Sequence, residues 1–345
     1  MSVAIVILNW NGEKFLQQFL PILIKNTIQP DVEIIVADNA STDDSLLIMR
    51  NKFPTIKTIV FDKNYGFASG YNKSLAQVVA DYYVLLNSDV EVTEHWLESL
   101  IEFMNDNKNV AACQPKILSY NNRTHFEHAG ASGGFIDSFG FPFCRGRVFG
   151  VVEEDKSQYD SVTDVFWATG ACLLIRANVY WKVGGLDDDF FAHMEEIDLC
   201  WRLKSRGYRV VCVPKSTVYH IGGGTLNVEN PRKTYLNFRN NLLLLYKNLP
   251  NNLLKRTMFY RFFFDYSAAF QLFITGKPRN ARSVFKARAD YKRMRPEFDE
   301  KRKENILFST CFDIPEIIKK SIVFDYYLKG KKTYNAIMQI NPHKK

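Results

Sequence analysis

The sequence predicts an α/β fold: a mostly parallel central sheet, followed by a C-terminal helical extension. Three observations carry that prediction. The first 115 residues alternate apolar, β-branched runs with amphipathic segments, the pattern of strands joined by helices that cover both faces of a sheet. The character changes after Pro231, where long helical patterns take over. Charge breaks at the same place: residues 1–231 hold 20 Lys and Arg against 28 Asp and Glu, whereas residues 232–345 hold 25 against 9.

The elements follow in order. Val3–Leu8, Val32–Ala37, Ile56–Phe61, Tyr82–Leu86 and Val110–Gln114 read as strands. Gly12–Lys25, Asp43–Lys52, Ala68–Val79 and Glu94–Asn105 read as the helices between them. Asp43 and Thr93 suit helix N-caps, each followed by acidic residues that favour the positive end of the helix dipole. Residues 116–165 are rich in Gly, Phe and Arg and read as loops and short strands. Val165–Ile175 reads as a strand with Gly170 inside it. Glu195–Arg206 reads as a helix stopped by Gly207. Tyr208–Val213 and Thr217–His220 read as short strands. Tyr235–Leu249, Leu253–Thr275 and Lys286–Arg295 complete the pattern as helices.

The 345 residues suffice for one large domain or two ordinary ones, and 46% hydrophobic with 24% charged residues is a globular composition. No run of 18 uncharged apolar residues exists, so no spanning helix is expected. The chain opens directly on Val3–Leu8, without a basic stretch, apolar core and cleavage site, so no secretory leader is expected. The six cysteines are scattered without close pairs, which predicts reduced thiols in a cytoplasmic protein.

The chemistry concentrates in an ordered set of carboxylates and one late histidine. Asp38 and Asp89 each follow an apolar strand, where ligands of open α/β sheets bind. Asp38 suits ribose hydroxyls or a base imide, or else a plain Asx turn. Asp89, in Asn87-Ser88-Asp89, suits a hard cation, or else a turn before the next helix. Glu195, Glu196 and Asp198 crowd a helix start, with Glu195 and Asp198 on one face and Glu196 about 100° away. Crowded carboxylates raise one another's pKa, which suits a general base; acids at a helix start are also ordinary dipole partners. His220 ends a strand before Ile221-Gly222-Gly223-Gly224-Thr225, a loop that lets it reach a metal or phosphate, though a lone His is commonly just half-buried. The glycines match neither a dinucleotide fingerprint nor a P-loop.

Taken together in their order, these pieces resemble glycosyltransferase family 2 of the GT-A fold, of the rhamnosyltransferase-like kind. The resemblance spans residues 1–250. It is carried by Val6-Ile7-Leu8-Asn9-Trp10-Asn11-Gly12, Val36-Ala37-Asp38-Asn39-Ala40-Ser41-Thr42-Asp43, Asn64-Tyr65-Gly66-Phe67-Ala68-Ser69-Gly70-Tyr71-Asn72 and Leu85-Leu86-Asn87-Ser88-Asp89. Ala168-Thr169-Gly170-Ala171, Gly184-Gly185-Leu186-Asp187, the stretch from Phe190 to Arg202, and His220 complete it.

The resemblance implies a catalytic domain over 1–231, with a nucleotide-binding half at about 1–115 and an acceptor half at about 116–231, and a basic, aromatic-rich helical extension over 232–345. It implies a nucleotide pocket of Asn9, Trp10, Asn11, Asp38, Asn64, Gly66, Asn72, Asn87 and Ser88. Asp89 and His220 would hold a divalent cation, Mg²⁺ or Mn²⁺, with Asn87 standing first in the family's Asp-x-Asp-like motif. The family's Glu-Asp pair reads Glu195-Glu196 here, so the base is expected at Glu196, with Glu195 as the alternative.

The activity implied is inverting, metal-dependent transfer of a sugar from a nucleotide-diphosphate donor, a UDP- or dTDP-sugar with dTDP-rhamnose among the candidates. The acceptor would be a hydroxyl of a glycan or lipid-linked saccharide in cell-surface polysaccharide assembly. The loop around residues 130–150 is a candidate lid. The alternative is a catalytically silent scaffold in a glycan-assembly complex. The basic, aromatic tail predicts a peripheral position on an anionic membrane surface, at the inner face of the cytoplasmic membrane, or else a contact between copies in a homo-oligomer. No nucleic-acid motif is present, so nucleic acid is not an expected partner.

Overall fold

Val3 to Ile7 and Tyr82 to Leu86 are buried at every position, which marks strands covered on both faces. In the computed structural model, which describes residues 1–27, 29–222 and 230–340, they lie side by side at the centre of a large sheet. The first half of the chain gives β1 (Val3–Asn9), α1 (Glu13–Lys25), β2 (Val32–Asp38), α2 (Ser45–Lys52), β3 (Lys57–Val60), α3 (Gly66–Leu75), β4 (Tyr82–Leu86), β5 (Val90–Val92), α4 (Trp96–Asp106) and β6 (Val110–Ser119). Apart from β5, which was not expected, these match the expected elements to within a few residues at most ends.

A small second sheet follows, from β7 (Gly134–Asp137), β8 (Pro142–Cys144), β9 (Arg147–Val148) and β10 (Val151–Val152). Then come β11 (Thr163–Asp164), β12 (Cys172–Arg176), α5 (Ala177–Lys182), α6 (Glu195–Ser205) and β13 (Arg209–His220). The helical part contains α7 (Pro231–Asn248), α8 (Asn251–Ile274), α9 (Pro278–Met294) and α10 (Asp299–Phe308). It ends in β14 (Ile317–Ile318), α11 (Ile322–Tyr327) and α12 (Tyr334–Met338).

The main sheet has the order β11-β13-β6-β12-β4-β1-β2-β3, with β5 paired to β13. β1, β2, β3, β4, β6 and β13 share one direction; β12 runs against its neighbours β4 and β6. Two apolar clusters pack on opposite faces. One holds Leu16, Leu20, Trp96 and Leu100 from α1 and α4. The other holds Tyr71 of α3, residues of α6, and Leu242–Leu245 of α7.

Three expectations are corrected. Thr93 is not a cap: its hydroxyl donates to the Thr217 carbonyl at 2.7 Å, and α4 begins after His95, which has φ 56°. The strand expected over Val165–Ile175 is broken, because Gly170 turns the chain hard against Phe67, whose ring would lie 2.8 Å from a Cβ there. The two strands expected before His220 are one, β13, with an irregularity between Val213 and Thr217. Asp43 does accept from the Ser45 amide at 3.1 Å, and also from the Glu13 amide at 3.0 Å, so it serves two helix starts.

The tail is sewn into the rest. β14 pairs with β7, and the Tyr334 ring packs on Phe135 and Phe143.

Candidate functional site

Because β1, β2, β4 and β13 run the same way, their carboxyl ends gather Asn9, Asp38, the 87–89 turn and His220 along one edge of the sheet. The ends of β1 and β2 are zipped together. Asn9 Nδ2 donates to Asp38 Oδ2 at 3.0 Å, and the Ser41 amide donates to Asp38 Oδ1 at 2.9 Å. Asn11, at φ 51°, accepts from the Thr42 amide at 2.7 Å. Asp38 is thus the Asx turn that the sequence offered as the plainer reading, with lone pairs still unused. Asn9 Oδ1 is buried and has no hydrogen-bond partner among the described residues. A Cβ on Gly12 would fall 2.2 Å from that oxygen and 3.3 Å from Ser88 Oγ, so three segments meet there. A buried orphan acceptor of this kind points to a missing partner. Trp10 beside it is 43% exposed.

Asn64 Oδ1 accepts from the Gly66 amide at 2.8 Å and from Asn39 Nδ2 at 3.1 Å, which shapes the start of α3. Asn72 lies elsewhere. Its amide donates to Leu186 O at 2.8 Å and Asp188 Oδ1 at 2.7 Å and accepts from Tyr180 OH, so it ties α3 to the turn after α5.

A buried cluster surrounds His220. Its Nε2 is 3.1 Å from Asp89 Oδ1 and 3.4 Å from Asn87 Nδ2. Its Nδ1 is 3.3 Å from Glu127 Oε2, an ion-pair distance without hydrogen-bond alignment. Burial alone would lower the imidazole's pKa, but Asp89 and Glu127 outweigh it and push it up to about 10. Burial works against the Glu127 carboxylate as well, and His220 prevails there too, holding it below its ordinary value. As it stands, the 3.1 Å contact is an imidazolium–carboxylate pair; a divalent cation, whose adjacent ligands at about 2.1 Å stand about 3 Å apart, would fit the same separation in place of the shared proton. A carboxylate behind the far ring nitrogen is the usual support for a metal-binding imidazole. Among the described residues no group of three His, Cys, Asp or Glu side chains could hold a metal ion, so a cation here would draw its other ligands from phosphate and water. Of the glycine loop, Gly222 has φ +71°, and a Cβ there would meet Glu127 Oε1 at 2.5 Å. Gly223, Gly224 and Thr225 lie outside the described residues.

The segment before α6 is strained. Phe191, His193 and Met194 have positive φ of 65°, 70° and 76°, sparsely populated regions that cost a non-glycine residue on the order of 1–3 kcal/mol. Two devices hold it. The Phe67 amide donates to Phe191 O at 2.7 Å, and Asn240 Nδ2 of α7 donates to the carbonyls of Phe190, Ala192 and His193 at 2.7–2.9 Å. α6 thereby starts with Glu195 buried and Glu196 part-exposed, each with a side-chain oxygen that has no partner among the described residues. Burial pushes Glu196 up to about 7. Burial, then the Glu196 charge, pushes Glu195 well above the ordinary carboxylate range. Strained backbone and unpaired acids together are features that functional sites retain.

Asp198 belongs to the frame. It pairs with Arg202 at 2.8 Å and Lys247 at 2.9 Å, while Lys247 also reaches Asp187 at 2.6 Å. Sequence reasoning missed Glu127, Asn39, Asn240 and Lys233. Lys233 faces Glu127, His128 and His193 from the start of α7, and burial lowers its pKa.

The family model described as glycosyl transferase family 2 matches residues 2–184. The chain is 26% identical over 233 residues to N-acetylglucosaminyl-diphospho-decaprenol L-rhamnosyltransferase of Mycobacterium tuberculosis, covering 63% of this chain and 75% of that protein. It is 26% identical over 227 residues to rhamnosyltransferase WbbL of Escherichia coli, covering 63% and 83%. Among solved structures, GalNAc-T7 with UDP, GalNAc and Mn²⁺ superposes with a TM-score of 0.57 at 14% identity, over 91% of this chain and 58% of that one. Residues 1–349 of S. aureus TarS superpose with a TM-score of 0.54 at 15% identity, over 89% of each. These superpositions show the GT-A fold, and with a family match over more than half its length the chain belongs to glycosyl transferase family 2.

Proposed function

We propose that the chain transfers a sugar, with inversion, from a nucleoside-diphosphate donor to a hydroxyl of a glycan or lipid-linked acceptor in cell-surface polysaccharide assembly. The observation that carries the reading is the Asp89–His220 pair at 3.1 Å, backed by Glu127, on the strand-end edge that also holds Asn9 and Asp38. Residues 1–231 carry the chemistry, with the nucleotide half at about 1–115 and the acceptor half at about 116–231, and 232–345 form the basic, aromatic-rich helical extension. The relatives named as rhamnosyltransferases favour dTDP-rhamnose or another dTDP- or UDP-sugar as donor.

Asn9, Trp10, Asn11, Asp38, Asn64 and Gly66 form the nucleoside end, which Asn72 braces from behind. Asn87 and Ser88 lie towards the diphosphate. Asp89 and His220 would hold Mg²⁺ or Mn²⁺, which when bound neutralises charge gathering on the departing diphosphate. Glu196 takes the proton from the acceptor hydroxyl as its oxygen bonds to the anomeric carbon. The bond from that carbon to the diphosphate oxygen breaks on the opposite face, and the electron pair leaves with the nucleoside diphosphate. Glu195 lies beside it, buried, with its pKa pushed up by burial and then by the Glu196 charge, so the two acids resist ionising together.

A panel of UDP-, dTDP- and GDP-sugars with Mn²⁺ or Mg²⁺ tests the reading. Release of nucleoside diphosphate is expected with one donor class, and product NMR should show the anomeric configuration inverted. Retention of configuration would rule out the single displacement.

A further inference from the structure

Helix α8 is built inside out. Its buried stripe is Thr257, Arg261, Asp265 and Ala269, at every fourth residue. Phe259, Phe263, Phe270 and Ile274 fall within about 60° of one another on the opposite face, at about 100° per residue. They are 61%, 53%, 67% and 64% exposed. Arg261 and Asp265 pair at 2.9 Å, and Arg288 of α9 bonds to Asp265 as well, so the polar stripe is satisfied inside. A helix with ions inward and aromatics outward faces an apolar medium on its outer side.

The tip of the α8–α9 hairpin adds a groove of about 330 Å³, walled by Tyr266, Phe270, Phe273, Phe285 and small residues, with Arg282 its one charged side chain. From Tyr266 to Ala289 there is no acidic residue, while Lys277, Arg279, Arg282 and Lys286 are all exposed. Among the described residues no helix is long and apolar enough to cross a membrane. An aromatic face ringed by cations, too short to span, is the chemistry of a surface that lies in the headgroup layer of an anionic bilayer.

Position gives that surface a purpose. α7 and α9 run parallel: Asn280 bonds to Thr234 Oγ1 at their starts, and Tyr291 meets Tyr246 towards their ends. α8 runs back between them in the chain, so its aromatic C-terminal end lies with the start of α7. There Arg232 stacks over Phe191, in the loop that leads to Glu195.

We infer that the α8–α9 hairpin docks this protein on an anionic phospholipid surface, its aromatic face in the headgroup layer and its groove around a lipid chain, beside the mouth of the site. The purpose of such docking rests on the lipid-linked acceptor proposed above; its chemistry does not.

Flotation of the full chain with phosphatidylcholine vesicles, with and without phosphatidylglycerol, tests this at low and high salt. Binding should need the anionic lipid and weaken with salt. The Phe270→Ser, Phe273→Ser double variant alters exposed positions, should melt like wild type, and should bind at least about tenfold more weakly. Arg282→Glu with Lys286→Glu should abolish the preference for anionic vesicles. No flotation at low salt, or equal flotation of wild type and the Phe variant, would overturn the inference. So would a wild-type dimer that the Phe variant splits into monomers, since the face would then belong to a second copy. Donor turnover is read separately: flotation without turnover sinks the proposed reaction and leaves the docking surface standing.

Discussion

His220 Nε2 lies 3.1 Å from Asp89 Oδ1, although 131 residues separate the two in sequence. They meet because β5, the short strand just after Asp89, pairs antiparallel with the end of β13, setting His220 opposite Val90. Glu127 closes the cluster from the far side of the ring. Glu127→Gln removes the charge that orients the imidazole and leaves Asp89 in place. Mn²⁺ affinity, read by calorimetry in the presence of nucleoside diphosphate, should fall about 10–100-fold. Unchanged affinity would reduce Glu127 to a packing role.

Glu196→Gln keeps the shape of the side chain and removes its basicity. Donor affinity should hold while kcat falls about 10²–10⁴-fold. The base acts as carboxylate, and burial places its pKa at about 7. kcat/KM should therefore rise with pH through the acid limb and level off above neutrality. A flat profile from mildly acidic to mildly alkaline pH, or a larger loss from Glu195→Gln than from Glu196→Gln, would move the role off Glu196.

Asp38 anchors the turn between β2 and α2 through Ser41 and Asn9. Asp38→Asn preserves most of that turn. It should weaken free nucleotide and intact donor alike, since the proposed contact is to the nucleoside. If both dissociation constants stay at wild-type values, Asp38 is a turn residue and nothing more.

Gly66 sits at φ +76°, where a Cβ would come within 2.5 Å of the Phe191 ring. Gly66→Ala should cost at least about 1–2 kcal/mol from the backbone alone. It should also displace the Phe191 loop and with it the start of α6. The urea midpoint and kcat should fall together. A loss of stability with full activity would separate this glycine from the site.

The Asp38 and Asp89 strand ends were legible because each follows consecutive apolar residues buried on both faces, residues 35–37 and Tyr82–Leu86, which leaves a period-free signal that ends at a polar residue. Glu127 was illegible. It lies in the irregular 116–165 segment and reaches His220 only through the β13–β6 pairing, a contact 93 residues away in sequence. Asn240 gave no signal either, since one polar residue on an amphipathic helix says nothing about which loop it braces. The α9 start at Pro278 was missed, although proline suits the first turn of a helix. The short elements from Ile317 onward carry too few residues for a period; contacts with β7, Phe135 and Phe143 hold them.

The most direct measurement is metal-dependent turnover of a matched donor by wild type and Asp89→Ala. Wild type should release nucleoside diphosphate with Mn²⁺ or Mg²⁺ and stop in excess chelator. Asp89→Ala should still fold, with a melting temperature lowered by the loss of the buried Asp89–His220 contact, and lose release under every condition. Release that continues at the wild-type rate in chelator, or in a folded Asp89→Ala protein, would contradict a metal-held diphosphate at Asp89 and His220.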